Sequence, residues 1–160
     1  MTAPTAPTGP FFIRGVTQFI ACPSVNDLKA PTRAELDAGI KLTNIVGVGG
    51  FQVSRSFIPT PDLDSSFTGN VAGERTAGDS SLTFKDVRGD TTNRDALAED
   101  TNLVMVKLPY GDYPGERCEC WSVISGGVND QIDLSSYGQF QVTFSTPEPP
   151  EQNAIIPAAV

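Results

Sequence analysis

The clearest alternation of apolar and polar residues lies near the end of the chain and predicts a β-strand with two different faces. Phe140, Val142 and Phe144 alternate with four uncharged polar residues, which are Gln139, Gln141, Thr143 and Ser145. A period of two places the apolar residues on a buried face and the polar residues on the opposite face. A sandwich strand with one face in solvent produces the same alternation, so the pattern alone does not assign a role to the polar side.

Other segments with strand-like patterns predict a mainly β protein. In chain order they are residues 11–24, with a possible kink at Gly15, then 40–59, 79–87, 102–109, 116–125 and 137–145. The side chains expected to face inward in the later segments are Leu82, Phe84, Trp121 and Val123. In segment 102–109, Val104, Val106 and Leu108 are expected to share one side of the strand. The spacing of these segments indicates an antiparallel β-sandwich or a partly closed barrel.

Segment 40–59 is predicted to form two short strands around several glycines. Phe51, Val53 and Phe57 are expected to share one face of the second strand. Arg55 interrupts that apolar side. Arg55 marks either a sheet edge or an interface. Alternatively, the aliphatic part of its side chain packs on the protein while its guanidinium reaches water.

Two short helices are expected between the strands. In "APTRAELDAG", Thr32 is the predicted N-cap, Glu35 completes a capping box three residues later, and Gly39 ends the helix. In "TTNRDALAED", Thr92 is the predicted cap, with Asp95 three residues on.

The chain is expected to consist of a flexible arm at 1–10, a β-domain at 11–146 and a C-terminal arm at 147–160. Within the domain, 59–79 has few core residues and is predicted to be a long loop, with a weak strand around Phe67 and Val71. The C-terminal arm contains four prolines and then Ile155 and Ile156. This arm either carries an apolar plug to a neighbouring subunit or folds back on its own.

The composition of the chain disfavours some classes of function. The net charge of −8 disfavours a protein that grips nucleic acid. No apolar run is as long as a membrane span, and the N-terminus lacks the features of a signal peptide, so synthesis in cytoplasm is expected.

No set of residues in the sequence indicates a catalytic site. The chain contains no histidine, and "GVGG" at 47–50 lacks the lysine and helix of a phosphate loop. "DLDSS" at 62–66 begins like a calcium loop but lacks its glycine and its closing glutamate. Cys22, Cys118 and Cys120 are too few for a four-ligand zinc site and are expected to be packed thiols. We therefore expect a non-enzymatic protein without cofactor or metal.

From Phe11 to about Ala158 the chain resembles the major tail, or tail tube, protein of long-tailed, non-contractile phages, especially those of actinobacterial hosts. The resemblance rests on the order of several phrases. These are an early "FF-x-x-G" after a Pro-rich start, "APTRAELDAG" before "I-x-L-T-x-I", "GFQVSRSFIPTPDLDSSFTGNVAGERTAGDSSLTF", and a final "QVTFSTPEPPEQNAIIPA".

The resemblance implies a structural virion protein of the phage tail. Subunits of this family form hexameric rings that stack into a tube, and DNA passes through the lumen during ejection. The implied partners are other copies of the chain, a tape-measure protein and DNA in the lumen, and tail terminator and distal tail proteins at the ends, with no membrane. The candidate lumen residues are Gln139, Gln141, Thr143 and Ser145. The candidate inter-ring residues are Asp62, Asp64, Phe67, Arg75, Ile155 and Ile156.

Simple geometry is compatible with that assembly. Six subunits giving four strands each make a barrel of about 24 strands with a backbone diameter of ~48 Å, wide enough for a DNA duplex. Six copies carry 6 × −8 = −48 charges per ring, which disfavours tight binding of phosphate. The alternatives are the inner tube of a contractile tail or injection machine, a capsid decoration protein, and a β-sandwich binding module.

Overall fold

A computed structural model describes residues 9–10 and 14–159 of the chain. Most of the predicted N-terminal arm, and Phe11 and Phe12 of the first predicted strand, therefore lie outside the described residues. The elements in chain order are β1 (Gln18–Cys22), α1 (Arg33–Asp37), β2 (Ile40–Lys41), β3 (Ile45–Gly49), β4 (Val53–Thr60), β5 (Gly69–Ala77), β6 (Ser80–Lys85), α2 (Thr92–Ala96), β7 (Asn102–Leu108), β8 (Arg117–Gln131), β9 (Gln139–Ser145) and β10 (Glu151–Ile155).

Eight of the strands form one antiparallel sheet in the order β2-β1-β7-β8-β9-β6-β3, with β10 also paired to β8. The long strand β8 has β7 along one edge. Its other edge is shared by β10 at the N-terminal end and by β9 at the C-terminal end. The sheet does not close on itself, and β4 and β5 form a separate two-stranded sheet. The predicted fold class, mainly antiparallel β with two short helices, is confirmed.

The first hydrophobic core lies on one side of the sheet, where β1 and β6 contribute to the same cluster. Phe51 is at its centre, with ring centroids 5.6 Å from Phe19, 5.6 Å from Trp121 and 6.2 Å from Phe144. The inward positions predicted for β6 and β8 are correct, since Leu82, Phe84, Trp121 and Val123 are all buried in this core. Packing of these aromatic residues holds the two ends of the sheet together.

The second hydrophobic core lies on the opposite side of β1, β7 and β8. Val104, Val106 and Leu108 share this side, as predicted, and Leu36 of α1 covers them. The three cysteines are also buried here as free thiols. Burial raises the pKa of Cys22 to about 11, and the hydrogen bond with Cys118 together with burial raises the pKa of Cys120.

The C-terminal segment belongs to this second core, so its prediction as a separate arm is corrected. β10 pairs with β8, and Ala154 and Ile156 are buried. Beyond the strand, the backbone N–H of Ile156 donates to Glu116 O at 2.9 Å, and Gly115 N–H donates to Ile156 O at 2.9 Å. The prolines precede or follow the paired residues and therefore remove none of these bonds. The fold-back alternative is the one observed.

Helix α1 begins as predicted. The Thr32 side chain accepts from the backbone N–H of Glu35, and the Glu35 carboxylate accepts from the backbone N–H of Thr32. The hydrogen bonds that the Glu35 carboxylate accepts from the backbone N–H groups of Thr32 and Asn26 lower its pKa. The helix ends at Asp37, and Gly39 follows closely against Ile20, where a Cβ would lie 2.5 Å from the Ile20 methyl group.

Three local predictions are wrong. Thr91, not Thr92, is the N-cap of α2, and its hydroxyl donates to Asp95 instead of capping the backbone. Gly15 lies in a turn before β1 rather than inside a strand. Phe51 does not share a strand face with Phe57, because Phe51 adopts a left-handed φ of 55° between β3 and β4 and turns into the core.

The ion pair between Arg33 and Asp112 predicts acid sensitivity. The two guanidinium N–H groups donate to the two carboxylate oxygens at 2.7 Å each, and this hydrogen bonding lowers the pKa of Asp112. A lowered folded-state pKa means that the stabilisation is complete above the unfolded-state pKa of ~4 and is lost as pH falls through the folded-state value. We expect Asp112→Asn to cost about 1 kcal/mol at pH 7, because both side chains are partly exposed, and the difference from wild type to shrink below pH 4. Urea unfolding at several pH values measures this difference, and a gap independent of pH would contradict the assignment.

Candidate assembly surfaces

An uncharged polar face extends across four strands on the side of the sheet opposite the first core. Directly opposite residues of antiparallel strands point to the same side of the sheet. The register therefore aligns Ser81 with Thr143, Thr83 with Gln141, and Gln141 in turn with Asn129. We call this surface the polar face, and its members are Gly47 and Gly49 of β3, Ser81 and Thr83 of β6, Asn129 and Gln131 of β8, and Gln139, Gln141, Thr143 and Ser145 of β9.

The polar face is accessible and almost free of charge. Thr143 and Ser145 are exposed, and Gln139 and Gln141 are half-buried, whereas the alternating residues of β9 are buried in the first core. The Gln131 side chain donates to Gln141 Oε1 at 3.3 Å. One cation lies at the border of this face, because Lys85 is opposite Gln139 and its ammonium is 5.7 Å from the centre of the Tyr137 ring.

The polar face ends at the outer edge of β3. Val46 and Val48 of this strand are 38% and 52% exposed, and an open groove of about 660 Å³ runs beside them. In the described part of the sheet, no strand pairs with this edge of β3. Unpaired backbone groups at a sheet edge are a template for pairing with another chain, so this edge is a second candidate surface.

A long hairpin formed by β4 and β5 is the third candidate surface. Pairing runs from Val53 opposite Ala77 at the base to Thr60 opposite Gly69 near the tip. Val53 and Ala77 pack against the first core, whereas every residue at 54–68 is exposed. Five large apolar side chains of this hairpin are at least half exposed, namely Phe57, Ile58, Leu63, Phe67 and Val71. An isolated two-stranded hairpin is only marginally stable in water, which favours a partner that covers it.

The prediction of a long loop at 59–79 is wrong, because most of this segment belongs to the hairpin. Strand β5 occupies Gly69–Ala77, so the loop proper is limited to 61–68. Val71 belongs to the strand, as the weak signal indicated, whereas Phe67 lies in the loop. Side-chain contacts along the hairpin are mostly polar, for example Ser54 with Thr76 at 3.1 Å between hydroxyl oxygens.

Most of the predicted inter-ring residues lie together on this hairpin. Asp62, Asp64 and Phe67 are in the loop at its tip, and Arg75 is in its stem. The last two candidates are elsewhere. Ile155 is 54% exposed at the end of β10, but Ile156 is buried in the second core and cannot contact a neighbour without unfolding the C-terminal strand.

Two surface features were not found from the sequence. The outer edge of β3 is visible only once the strand order is known. Arg55 lies directly opposite Arg75, a pairing that depends on the register of a hairpin whose second strand was predicted to be a loop.

The described residues contain no group of three or more potential metal-ligating side chains placed to hold an ion. Neither described helix is long and apolar enough to span a membrane.

The comparison of structures finds a similar fold in two chains of the anti-feeding prophage. A chain from the anti-feeding prophage baseplate superposes with a TM-score of 0.57 at 9% identity, covering 91% of this chain and 95% of the other. A chain from the anti-feeding prophage cap, which terminates the tube, superposes with a TM-score of 0.53 at 10% identity, covering 92% and 96%. At such low identity the likeness concerns the fold alone.

The sequence comparisons identify the family. No curated protein matches the chain in sequence. The sequence profile of the family described as "Phage tail tube protein" matches residues 5–159, which is nearly the whole chain. Together with the fold, this match identifies a structural component of a phage tail: the chain belongs to the phage tail tube protein family.

Proposed function

We propose that the chain polymerises as stacked hexameric rings to form the tail tube of a long-tailed, non-contractile phage, through which DNA is ejected into the host. The polar face carries this proposal. It is built from four strands, β3, β6, β9 and the C-terminal half of β8, and six such units supply the ~24 strands of a barrel wide enough for duplex DNA.

The chemistry of the polar face suits a conduit for DNA. Amides, hydroxyls and glycines hold water and offer few cations to phosphate, so a passing duplex is not retained by counterion release. The apolar side of the same strands is already buried in the first core. If this sheet lines a tube, only the polar face is available for its lumen.

The same proposal assigns roles to the other two surfaces. The unpaired edge of β3, with Val46 and Val48 exposed beside it, is the contact that continues the sheet into the next subunit of a ring. The β4–β5 hairpin extends beyond the core and contacts another subunit, which covers its exposed apolar side chains. The tape-measure protein would occupy the lumen before DNA, and the tail terminator and distal tail proteins would bind the two ends.

A second candidate function is the inner tube of a contractile tail or injection machine. It is favoured by the fold shared with chains of the anti-feeding prophage baseplate and of its tube-terminating cap. Both candidates require rings and a lumen, and they differ in whether a sheath binds the outside of the tube.

Electron microscopy of the purified chain tests tube formation directly. We expect negative-stain images to show hollow tubes with sixfold end views at high protein concentration. A monomer at every concentration would point to a binding module, and a small closed oligomer to a decoration protein. Either result would overturn the proposal.

The substitution Gln141→Lys tests which surface lines the lumen. We expect tubes to form, because Gln141 is half-buried on the polar face and outside both cores, with six added cations per ring directed into the lumen. Fluorescent duplex DNA present during assembly should then pellet with the tubes at low salt and be released at high salt. The matched control is Asn153→Lys, which adds the same charge to an exposed position of β10, outside the polar face. Equal DNA retention by both variants, or a loss of rings in Gln141→Lys, would reject the assignment of this face to the lumen.

A further inference from the structure

The β4–β5 hairpin carries a pair of arginines that have no counterion in the described part of the chain. Arg55 and Arg75 are directly opposite each other on the two strands. Like charges at such positions repel each other. Among residues 9–10 and 14–159, no carboxylate lies within 4.0 Å of either guanidinium, and the one hydrogen bond found for the pair runs from Arg55 Nε to the carbonyl of Gly73 at 3.4 Å.

An exposed aromatic ring adjoins the arginines. Phe57 follows Arg55 by two residues along β4, with a shift in the β4–β5 register between them, and 66% of it is exposed. Arginine and aromatic side chains are the residues most often found to anchor protein interfaces. We call Arg55, Phe57 and Arg75 the stem site.

The tip of the same hairpin has the complementary chemistry. Asp62 and Asp64 flank Leu63, whose side chain is completely exposed. The backbone N–H of Asp64 donates to Asp62 Oδ1 at 3.1 Å, and Ser65 N–H donates to Asp62 O at 3.4 Å, so the turn has a defined shape. The tip therefore presents two carboxylates around one apolar side chain, and the stem site presents two guanidiniums beside one aromatic ring.

The tip cannot reach the stem site of its own hairpin. Thr60 follows Arg55 by five positions along the extended strand, which is about 17 Å at the rise of a β-strand. A second copy of the chain can supply the carboxylates that match the stem site. A contact between different parts of two identical chains is head-to-tail and repeats from copy to copy, as a polymer requires.

We propose that the hairpin tip of one subunit binds the stem site of another, with Asp62 and Asp64 paired to Arg55 and Arg75 and with Leu63 against Phe57. This inference rests on the proposed function, because it supplies one of the contacts by which subunits of the tube hold each other. It also explains why like charges are tolerated opposite each other, since the carboxylates of the next copy neutralise them.

A charge exchange within one chain tests the contact. The variant Arg55→Glu with Arg75→Glu changes the net charge from −8 to −12, and Asp62→Arg with Asp64→Arg changes it from −8 to −4. We expect each variant to raise the critical concentration for tube formation by about tenfold or more, because like charges then face each other across the contact. The quadruple variant restores opposite charges with their positions exchanged and has the wild-type net charge of −8. Its critical concentration is expected to return to within about threefold of wild type.

Controls separate this contact from bulk charge and from folding. Lys29→Glu with Arg88→Glu also gives −12, at two exposed positions away from the hairpin, and is expected to assemble like wild type. Circular dichroism melting should be unchanged in every variant, because the substituted residues lie outside both cores. If the glutamate pair lowers the melting temperature, the neutral pair Arg55→Gln with Arg75→Gln replaces it, with a smaller loss of assembly expected.

The outcomes are distinct. Wild-type protein that remains monomeric overturns the proposed function and this inference with it. Wild-type tubes together with a quadruple variant no better than its parents overturn the inference alone. Normal assembly by either double variant, Arg55→Glu with Arg75→Glu or Asp62→Arg with Asp64→Arg, also overturns the inference alone.

Discussion

Removing the β4–β5 hairpin is expected to leave a folded monomer that no longer forms tubes. The variant joins Val53 to Ala77 through an Asn-Gly turn, which suits a tight antiparallel connection. Both joined residues stay in place because they pack against the first core, and the deleted residues 54–76 contribute nothing to either core. The change removes all of the exposed apolar hairpin residues at once, so the loss of assembly should be complete at concentrations where wild type is fully polymerised.

Two measurements decide this outcome. Circular dichroism and thermal melting report the monomer, and sedimentation with electron microscopy reports the tubes. A folded variant that still forms full-length tubes would show that the hairpin is dispensable. A variant that melts far below wild type would instead show that the hairpin stabilises its own subunit.

The second large effect is expected from deleting residues 153–160, which should unfold the monomer. The deletion removes Ala154 and Ile156 from the second core and breaks the β10–β8 pairing at Cys118 and Arg117. Loss of a buried isoleucine alone costs about 2–5 kcal/mol, and the lost strand pairing adds to it. The total is a large share of the roughly 5–15 kcal/mol by which a domain of this kind is stable.

Neighbouring residues provide a matched control for this effect. Ile156→Ala is expected to lower the free energy of unfolding by about 2–5 kcal/mol, whereas Ile155→Ala should cost less than about 1 kcal/mol because half of that side chain is already in water. Urea unfolding of the two variants measures the difference. Equal costs, or a truncated protein with wild-type stability, would contradict the packing of the C-terminal segment.

Sequence patterns correctly predicted the features that depend on residues close together in the chain. The alternation in β9 correctly separates its buried residues, Phe140, Val142 and Phe144, from its accessible polar side. The capping box at Thr32 and Glu35 formed as expected, because both partners lie within one turn of the helix. The residues predicted to face inward in β6 and β8 are buried, and the three predicted to share one side of β7 do so.

The hairpin and the C-terminal strand could not be predicted from such patterns. Strand β5, "GNVAGERTA", has no apolar alternation, because both of its faces are exposed and its pairing depends on backbone hydrogen bonds to β4. In β10 the sequence showed prolines and a terminal apolar pair, which suit a docked strand as well as an extended arm. Only the position of β8, with a free edge beside its N-terminal end, decided between them.

The sequence by itself therefore determined which residues are buried along most strands, the absence of histidine chemistry, the acidic charge and the resemblance to tail tube proteins. The tertiary structure alone decided which strands are neighbours, and with that it decided the extent of the polar face, the unpaired edge of β3 and the opposition of Arg55 to Arg75. The physical reason is that burial alternates with the local geometry of a strand. Strand order and register depend instead on hydrogen bonds and packing between segments far apart in the chain.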